Sequence, residues 1–141
     1  MTGLPKDEKA QSRYTFKVAE NAGDYRSVRK LVKSVDMESA RSSFPTVMAF
    51  EDEKLVGVLC TDTSQDMIVA GPLAMATDRR RPLLALRLCE NYEHALKNLG
   101  IVSYIMAVTR GSLLHKAIER YTPDMQPYAS EGEQDFYVRR L

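Results

Sequence analysis

The sequence predicts an α/β domain with a mixed, mostly antiparallel central sheet, a splayed pair of parallel strands and helices on both faces. Three observations support this fold class. Apolar runs typical of strands alternate with amphipathic helices, and three of these runs follow one another across short polar gaps. A further apolar run, 101–108, comes one helix after the run at 67–75. Strands joined through a helix are normally parallel, which predicts the parallel pair.

Length and composition bound the classes of protein. The chain has 141 residues, of which 44% are hydrophobic and 28% are charged. This is ordinary globular composition, and we expect a single domain over residues 14–141 after a flexible tail over residues 1–13. A net charge of +1 gives no general attraction to nucleic acid or membranes. No run approaches the roughly 20 apolar residues of a membrane span, and the polar start lacks a signal-peptide core.

The two cysteines indicate the compartment. Cys60 and Cys89 lie in apolar-periodic stretches and do not have metal-ligand spacing. Buried free thiols in a reducing compartment are therefore expected, and we predict a cytoplasmic protein without a metal site.

The first half of the chain reads as a strand, a helix and a three-stranded meander. Residues 14–20 alternate as a half-buried strand, and residues 21–24 supply a turn that ends in a capping aspartate. A helix follows to Val35, and its basic face is taken as solvated surface. Residues 37–45 form either a loop or a short second helix. Strands are expected at Thr46–Phe50, Leu55–Thr61 and Met67–Met75.

Two glycines within these strands predict irregularities. Gly57 indicates either a bulge or a place where another group approaches the backbone closely. Gly71 and Pro72 cannot pair normally, so the third strand of the meander should bend or splay there. Backbone groups exposed beside a splay could bind an amide-containing ligand, and a simple kink of an edge strand is the alternative.

The second half predicts a helix at Pro82–Asn98, a buried strand at 101–108, and another helix with Ser112 as its N-cap. Leu83 and Leu86 fall outside the apolar stripe of the long helix, and either line a cleft or are covered by loops. Met125–Tyr128 and Asp135–Leu141 are expected to form a closing hairpin.

A basic turn precedes the long helix. Arg79, Arg80 and Arg81 stand directly before Pro82. The first turn of a helix has unpaired N–H groups and the positive end of the helix dipole, so this turn suits an anion such as a phosphate. The alternative is a solvated loop.

This order of elements resembles the GCN5-related N-acetyltransferase (GNAT) superfamily over residues 14–141. Specific similarities are Glu53–Leu59, which is similar to the hairpin of that family, and Leu73-Ala74-Met75 running into the basic turn. The resemblance implies that acyl-CoA lies between the strands at 67–75 and 101–108, and that residues 78–85 wrap its pyrophosphate. The implied cofactor-binding residues are Leu73, Met75, Arg79, Arg80, Arg81, Leu83, Leu84 and Ala85.

The family's phosphate motif is only partly present. Its best frame runs from Arg80 to Ala85, and Leu83 replaces the first glycine. A glycine lets the backbone reach the phosphates without a side chain in the way, so weakened CoA binding is expected. The additional arginines offset part of that loss because guanidinium groups pair bidentately with phosphate.

The resemblance implies transfer of an acetyl group from acetyl-CoA, or another acyl group, to a primary amine of a protein or small molecule by direct attack. Tyr121 is the candidate acid, and His115 is a candidate acid or base or else a surface histidine. The strand at 67–75 contains no carboxylate, and Asp62 and Asp66 at its start are better explained as turn residues.

The alternative function is a catalytically degenerate protein of the same fold that acts as a protein-binding or virion-associated module, similar to small relatives in tailed bacteriophages. Leu83 and the missing base both favour it. A nucleic-acid binder fits poorly, because no aromatic stacking platform accompanies the arginines. A homodimer is left open.

Overall fold

The structure, a computed structural model, describes residues 13–35, 42–62, 67–79 and 81–141. Its elements in chain order are β1 (Tyr14–Val18), α1 (Ala22–Ser34), β2 (Ser42–Glu51), β3 (Lys54–Asp62), β4 (Val69–Met75), a 3₁₀ turn (Thr77–Arg79), α2 (Pro82–Asn98), β5 (Ser103–Thr109), α3 (Leu113–Tyr121), β6 (Ala129–Glu131) and β7 (Gln134–Arg140). The predicted tail, except Arg13, lies outside the described residues.

The strands form one sheet in the order β1-β2-β3-β4-β5-β7-β6. Every neighbouring pair is antiparallel except β4 and β5, which are parallel. The predicted mixed sheet with one parallel pair is therefore confirmed. No helix within the described ranges is both long enough and apolar enough to cross a bilayer.

Each face of the sheet has its own core. One cluster gathers buried side chains of α1, such as Val28 and Val32, with Val58 and Cys60 of β3. The larger cluster gathers buried side chains of α2 and α3 with alternate residues of the strands. Helices therefore cover both faces, as predicted, because successive side chains of a strand point to opposite sides. Both cysteines are buried, and neither forms a disulfide.

Gly57 shows both features that its place in the sequence suggested. A Cβ added there would lie 3.1 Å from the Leu88 side chain of α2. The β2–β3 register also shifts between Ala49, which pairs with Gly57, and Phe50. The glycine thus allows α2 to pack closely on an irregular part of the sheet.

Two predictions about the first half of the chain were wrong. Asn21, rather than Asp24, is the N-cap of α1, because its side chain accepts the Asp24 N–H at 2.8 Å. Residues 42–45 belong to β2, where pairing of Ser42 and Ser43 with β3 overrides the local irregularity; residues 36–41 lie outside the described part of the chain.

The closing hairpin is shorter than predicted, since Met125–Tyr128 is not a strand. Pro127 has no N–H to donate to a ladder. The strand paired with β7 is instead β6, whose three residues are all exposed and so give no apolar alternation.

Arg110 and Asp135 join the loop after β5 to the β6–β7 hairpin. The Asp135 carboxylate accepts hydrogen bonds from the Ser130 hydroxyl at 2.7 Å and from the Arg110 guanidinium at 2.6 Å. Arg110 also donates to the backbone carbonyl of Gly132. The Ser130 bond, and then Arg110, lower the pKa of Asp135 from its ordinary value of 3.8.

We expect this lowered pKa to make folding less favourable in acid. The stabilisation is present above the unfolded-state pKa of about 3.8 and is lost as the pH falls through the lower folded-state pKa. Thermal melts across pH 2 to 7 should show a shallower acid decline for Asp135→Asn than for the unmodified chain. If the melting temperature of Asp135→Asn falls as steeply in acid as that of the unmodified chain, the acid sensitivity comes from other carboxylates.

Candidate active site at the opening between two strands

β4 and β5 pair over only a short stretch. Val69 pairs with Ile105 and Ala70 with Met106, and the Ile105 N–H donates to the Ile68 carbonyl at 2.9 Å. Beyond this point β4 stays with β3 while β5 stays with β7. The two parallel strands therefore separate into a V-shaped opening toward their carboxyl ends.

The separation begins at Gly71-Pro72. Gly71 has a φ of 145°, a conformation that L side chains rarely adopt, and Pro72 has no N–H. The β3–β4 register shifts at the same level, between Leu59 and Thr61. This confirms the splay that the sequence predicted.

The backbone of Leu73 and Met75 faces the opening. The Ala76 N–H donates to the Val56 carbonyl of β3 at 2.8 Å. Because hydrogen-bonding direction alternates along an antiparallel strand, the preceding residue Met75 and then Leu73 direct their N–H and C=O groups away from β3. The opening is thus lined on one side by amide groups outside the β3–β4 ladder, which suits a ligand that contains amides.

The basic turn lies at the carboxyl end of β4. Arg81 is extended (φ −126°, ψ 136°) and no side chain caps the helix, and Pro82 occupies the first turn. The Ala85 N–H donates to the Arg81 carbonyl at 3.2 Å. The N–H groups of Leu83 and Leu84 consequently precede the first intrahelical bond. No acidic residue lies in the first turn, so these donors favour an anion.

The side chains of this turn differ in exposure. Arg81 is exposed, Leu83 is half-buried, and Leu84 and Ala85 are buried in the core. Arg80 lies outside the described residues. The binding roles predicted for these residues, and for Arg79, stay predictions.

A cavity of about 60 Å³ lies between α2, β5 and α3. Apolar side chains form most of its wall, and Leu86 is one of them. Of the two alternatives predicted for Leu86, the structure supports the one in which it lines a cleft. The lining residues include Leu86, Cys89, Glu93, Met106, Ile118 and Arg139. Leu83 is not among the lining residues.

A polar network that the sequence did not reveal borders this cavity. Glu93 accepts a hydrogen bond from the Tyr104 hydroxyl at 2.6 Å and from Arg139 Nε at 2.9 Å. Its hydrogen bond raises the pKa of Arg139, whereas burial and then Glu93 raise the pKa of Tyr104. These three side chains satisfy one another's hydrogen-bonding groups. The charges of Glu93 and Arg139 can therefore lie beside an apolar wall.

Cys89, in the same wall, is a poor candidate nucleophile. It is 8% exposed, and burial raises the pKa of its thiol to about 12. The thiolate is the reactive form of cysteine, and its population at neutral pH is negligible.

The two predicted catalytic residues lie at opposite ends of α3. His115 is in the first turn, where its Nδ1 accepts the Gly111 N–H at 2.8 Å. Glu119 Oε1 lies 3.4 Å from the same nitrogen. Tyr121 ends the helix, half-buried against the core of the α2 face, with the Arg120 guanidinium 5.4 Å from its ring centroid. The structure does not bring the two together.

The described residues contain no group of three or more potential metal ligands. No protein-family model and no curated protein matches the sequence.

Solved structures, by contrast, match most of the chain. A GNAT-family N-acetyltransferase from Escherichia coli in complex with CoA aligns over 91% of this chain and 81% of its own, with 17% identity and a TM-score of 0.62. The ribosomal-protein-S18-alanine N-acetyltransferase from Escherichia coli covers 91% and 92%, with 16% identity and a TM-score of 0.57.

A third similar structure is the N-acetylglutamate synthase from Neisseria gonorrhoeae in complex with coenzyme A and N-acetyl-glutamate. It aligns over 91% of this chain with 16% sequence identity and a TM-score of 0.60. The aligned region spans only 35% of the length of that enzyme. The chain therefore has the fold of the GNAT acetyltransferases, and the expected fold is confirmed.

Proposed function

We propose that this protein binds acetyl-CoA, or another acyl-CoA, in the opening between β4 and β5 and transfers the acyl group to a primary amine. The main support for this proposal is that two ligand-binding features lie next to each other in the chain, one on β4 and one just after it. Amide groups of Leu73 and Met75 face the opening, and an uncapped helix N-terminus with Arg81 follows directly after it. A pantetheine arm carries amides and a pyrophosphate carries negative charge, so one extended ligand would satisfy both.

Phosphate binding would use backbone donors and charge. The N–H groups of Leu83 and Leu84 would point at the pyrophosphate, and Arg79, Arg80 and Arg81 would supply positive charge. Ala85, buried beneath the turn, would let α2 pack closely behind it. Leu83 would contribute its N–H despite the side chain that replaces the expected glycine.

In the transfer step the amine nitrogen attacks the thioester carbonyl carbon and the carbon–sulfur bond breaks. The leaving sulfur takes up a proton, and the nitrogen releases one of its own protons to solvent, which reprotonates the donor. Tyr121 is the preferred proton donor. The nine residues from Leu113 to Tyr121 span about 12 Å, a length that corresponds to between three and four strand residues. Thr122, the residue after Tyr121, lines the same cavity as Met106, which belongs to the last paired position of β4 and β5.

His115 is the second candidate, and its engaged Nδ1 would leave only the other ring nitrogen to take part. The described residues of β4 carry no carboxylate. The amine would therefore arrive unprotonated from solvent, and positioning would supply much of the rate.

Calorimetry with CoA tests this proposal. We expect submillimolar binding that Arg81→Ala weakens about twofold to fivefold, since one exposed charge pair is lost. Arg87→Ala is the matched control because its guanidinium pairs with Glu90 on α2. No binding at millimolar CoA, or equal weakening in both variants, would exclude the proposed site.

A catalytically degenerate binding module is the second candidate function, favoured by Leu83 and by the missing carboxylate. Release of free CoA thiol from acetyl-CoA in the presence of varied amines and N-terminal peptides distinguishes the two. Tight CoA binding without any amine-dependent release would favour the module.

A further inference from the structure

The outward face of α1 carries a continuous basic stripe. Its members are spaced i, i+3, i+4 and i+7, which places them on one side of a helix, and all are exposed. They are Arg26, Arg29, Lys30 and Lys33. Val28 and Val32, each 0% exposed, hold the opposite side of the helix against the sheet. The basic stripe therefore points away from the protein along about 10 Å.

None of these four side chains forms an ion pair with another described residue. The carboxylate of the helix, Asp24, instead accepts the Glu20 N–H and lies 3.1 Å from Lys17 Nζ. Like charges four residues apart destabilise a helix, and the stripe contains two such pairs.

The other helices are arranged differently. On α2 the Arg87 guanidinium pairs with Glu90, and on α3 Glu119 lies between Lys116 and Arg120. The whole chain has a net charge of only +1. Four exposed cations on one helix face, none of them paired with another described residue, therefore represent a local concentration of charge. Such a surface is suited to a partner of opposite charge.

We propose that the basic stripe of α1 is a docking surface for an acidic polypeptide segment, rich in Asp and Glu, of a partner protein. Arg26 and Arg29 can each bind a carboxylate bidentately, and the two lysines add point charges beside them. The proposal goes beyond the acyl transfer proposed above and does not depend on CoA.

Two other polyanions fit the stripe less well. A single-stranded nucleic acid is normally held by a longer basic groove with aromatic side chains for base stacking, and the stripe has neither. A helix that inserts into a membrane interface presents apolar side chains beside its cations, whereas the apolar residues of α1 pack toward the core.

The test is fluorescence anisotropy with a labelled peptide of about ten glutamates, measured near 50 mM and again near 300 mM salt. We expect binding that falls at least about tenfold in Arg26→Glu/Lys30→Glu and that weakens with salt. This variant keeps Arg29 and Lys33 as oppositely charged neighbours, so α1 should remain helical by circular dichroism. Lys97→Glu/Lys116→Glu makes the same change of net charge on other exposed helix faces and is the matched control.

Three outcomes would overturn the proposal: no peptide binding at low salt, equal loss in the control variant, or tighter binding of a ten-nucleotide oligothymidylate at the same stripe. Leu73→Pro, which alters the opening between β4 and β5, should leave peptide binding unchanged. Peptide binding without CoA binding would thus contradict the proposed function alone.

Discussion

Leu73→Pro is expected to weaken CoA binding by about fivefold to 150-fold while the sheet stays folded. The Leu73 N–H faces the opening rather than β3, so proline there removes a donor to the ligand without removing a β3–β4 ladder bond. Loss of one buried donor that leaves its partner unsatisfied costs about 1–3 kcal/mol, which corresponds to that range.

Two control variants separate the backbone from the side chain. Leu73→Ala keeps the N–H and should bind CoA nearly as well as the unmodified chain. Ala74→Pro removes an N–H that the alternation directs toward β3, so it should lower stability and affect CoA only through unfolding. The measurement is calorimetric titration with CoA alongside urea denaturation. If Leu73→Pro binds CoA normally, the backbone of β4 is not the pantetheine site.

The sequence predicted the opening because its causes are local. Gly71-Pro72 cannot continue a ladder, and Pro82 marks the start of α2. The predicted helix Pro82–Asn98 is the observed one, since an N-terminal proline, a 3.6-residue apolar period and Gly100 all agree. Signals confined to a few neighbouring residues could therefore be read correctly.

The polar network of Glu93, Tyr104 and Arg139 beside the cavity could not be predicted from such local signals. Glu93 of α2 and Arg139 of β7 are 46 residues apart and meet only in the folded chain. Periodicity places Glu93 near the edge of the apolar stripe of α2, and Arg139 stands next to another arginine near the end of the chain. No local pattern distinguishes such a pair from solvated charges. Similarly, the direction in which Leu73 and Met75 point their amides depends on the register with β3.

Tyr92 provides the largest expected effect on stability. Its side chain is 0% exposed in the larger core, and its ring packs edge-on against Tyr104 with centroids 5.5 Å apart. Its hydroxyl lies 2.6 Å from Thr61 Oγ1, which itself donates to the Pro45 carbonyl at 2.6 Å, so the tyrosine is the donor between them. Tyr92 thus links α2 to two strands through both packing and a hydrogen bond.

We expect Tyr92→Ala to lower the free energy of unfolding by about 3–5 kcal/mol, the cost of a cavity left by a large aromatic side chain. Tyr92→Phe keeps the ring and removes the donor, so it should cost only about 1 kcal/mol. Urea denaturation monitored by circular dichroism measures both values. If the alanine variant is already unfolded without denaturant, the phenylalanine variant still yields a midpoint.

Thr61→Val completes a double-mutant cycle with Tyr92→Phe. Alone it should cost more than Tyr92→Phe, about 2 kcal/mol, because it leaves both the Tyr92 hydroxyl and the Pro45 carbonyl without this partner. The double variant should be less destabilised than the sum of the two, since both substitutions remove the same bond. Strict additivity would mean that the hydroxyls do not interact, and that Tyr92 stabilises the fold by packing alone.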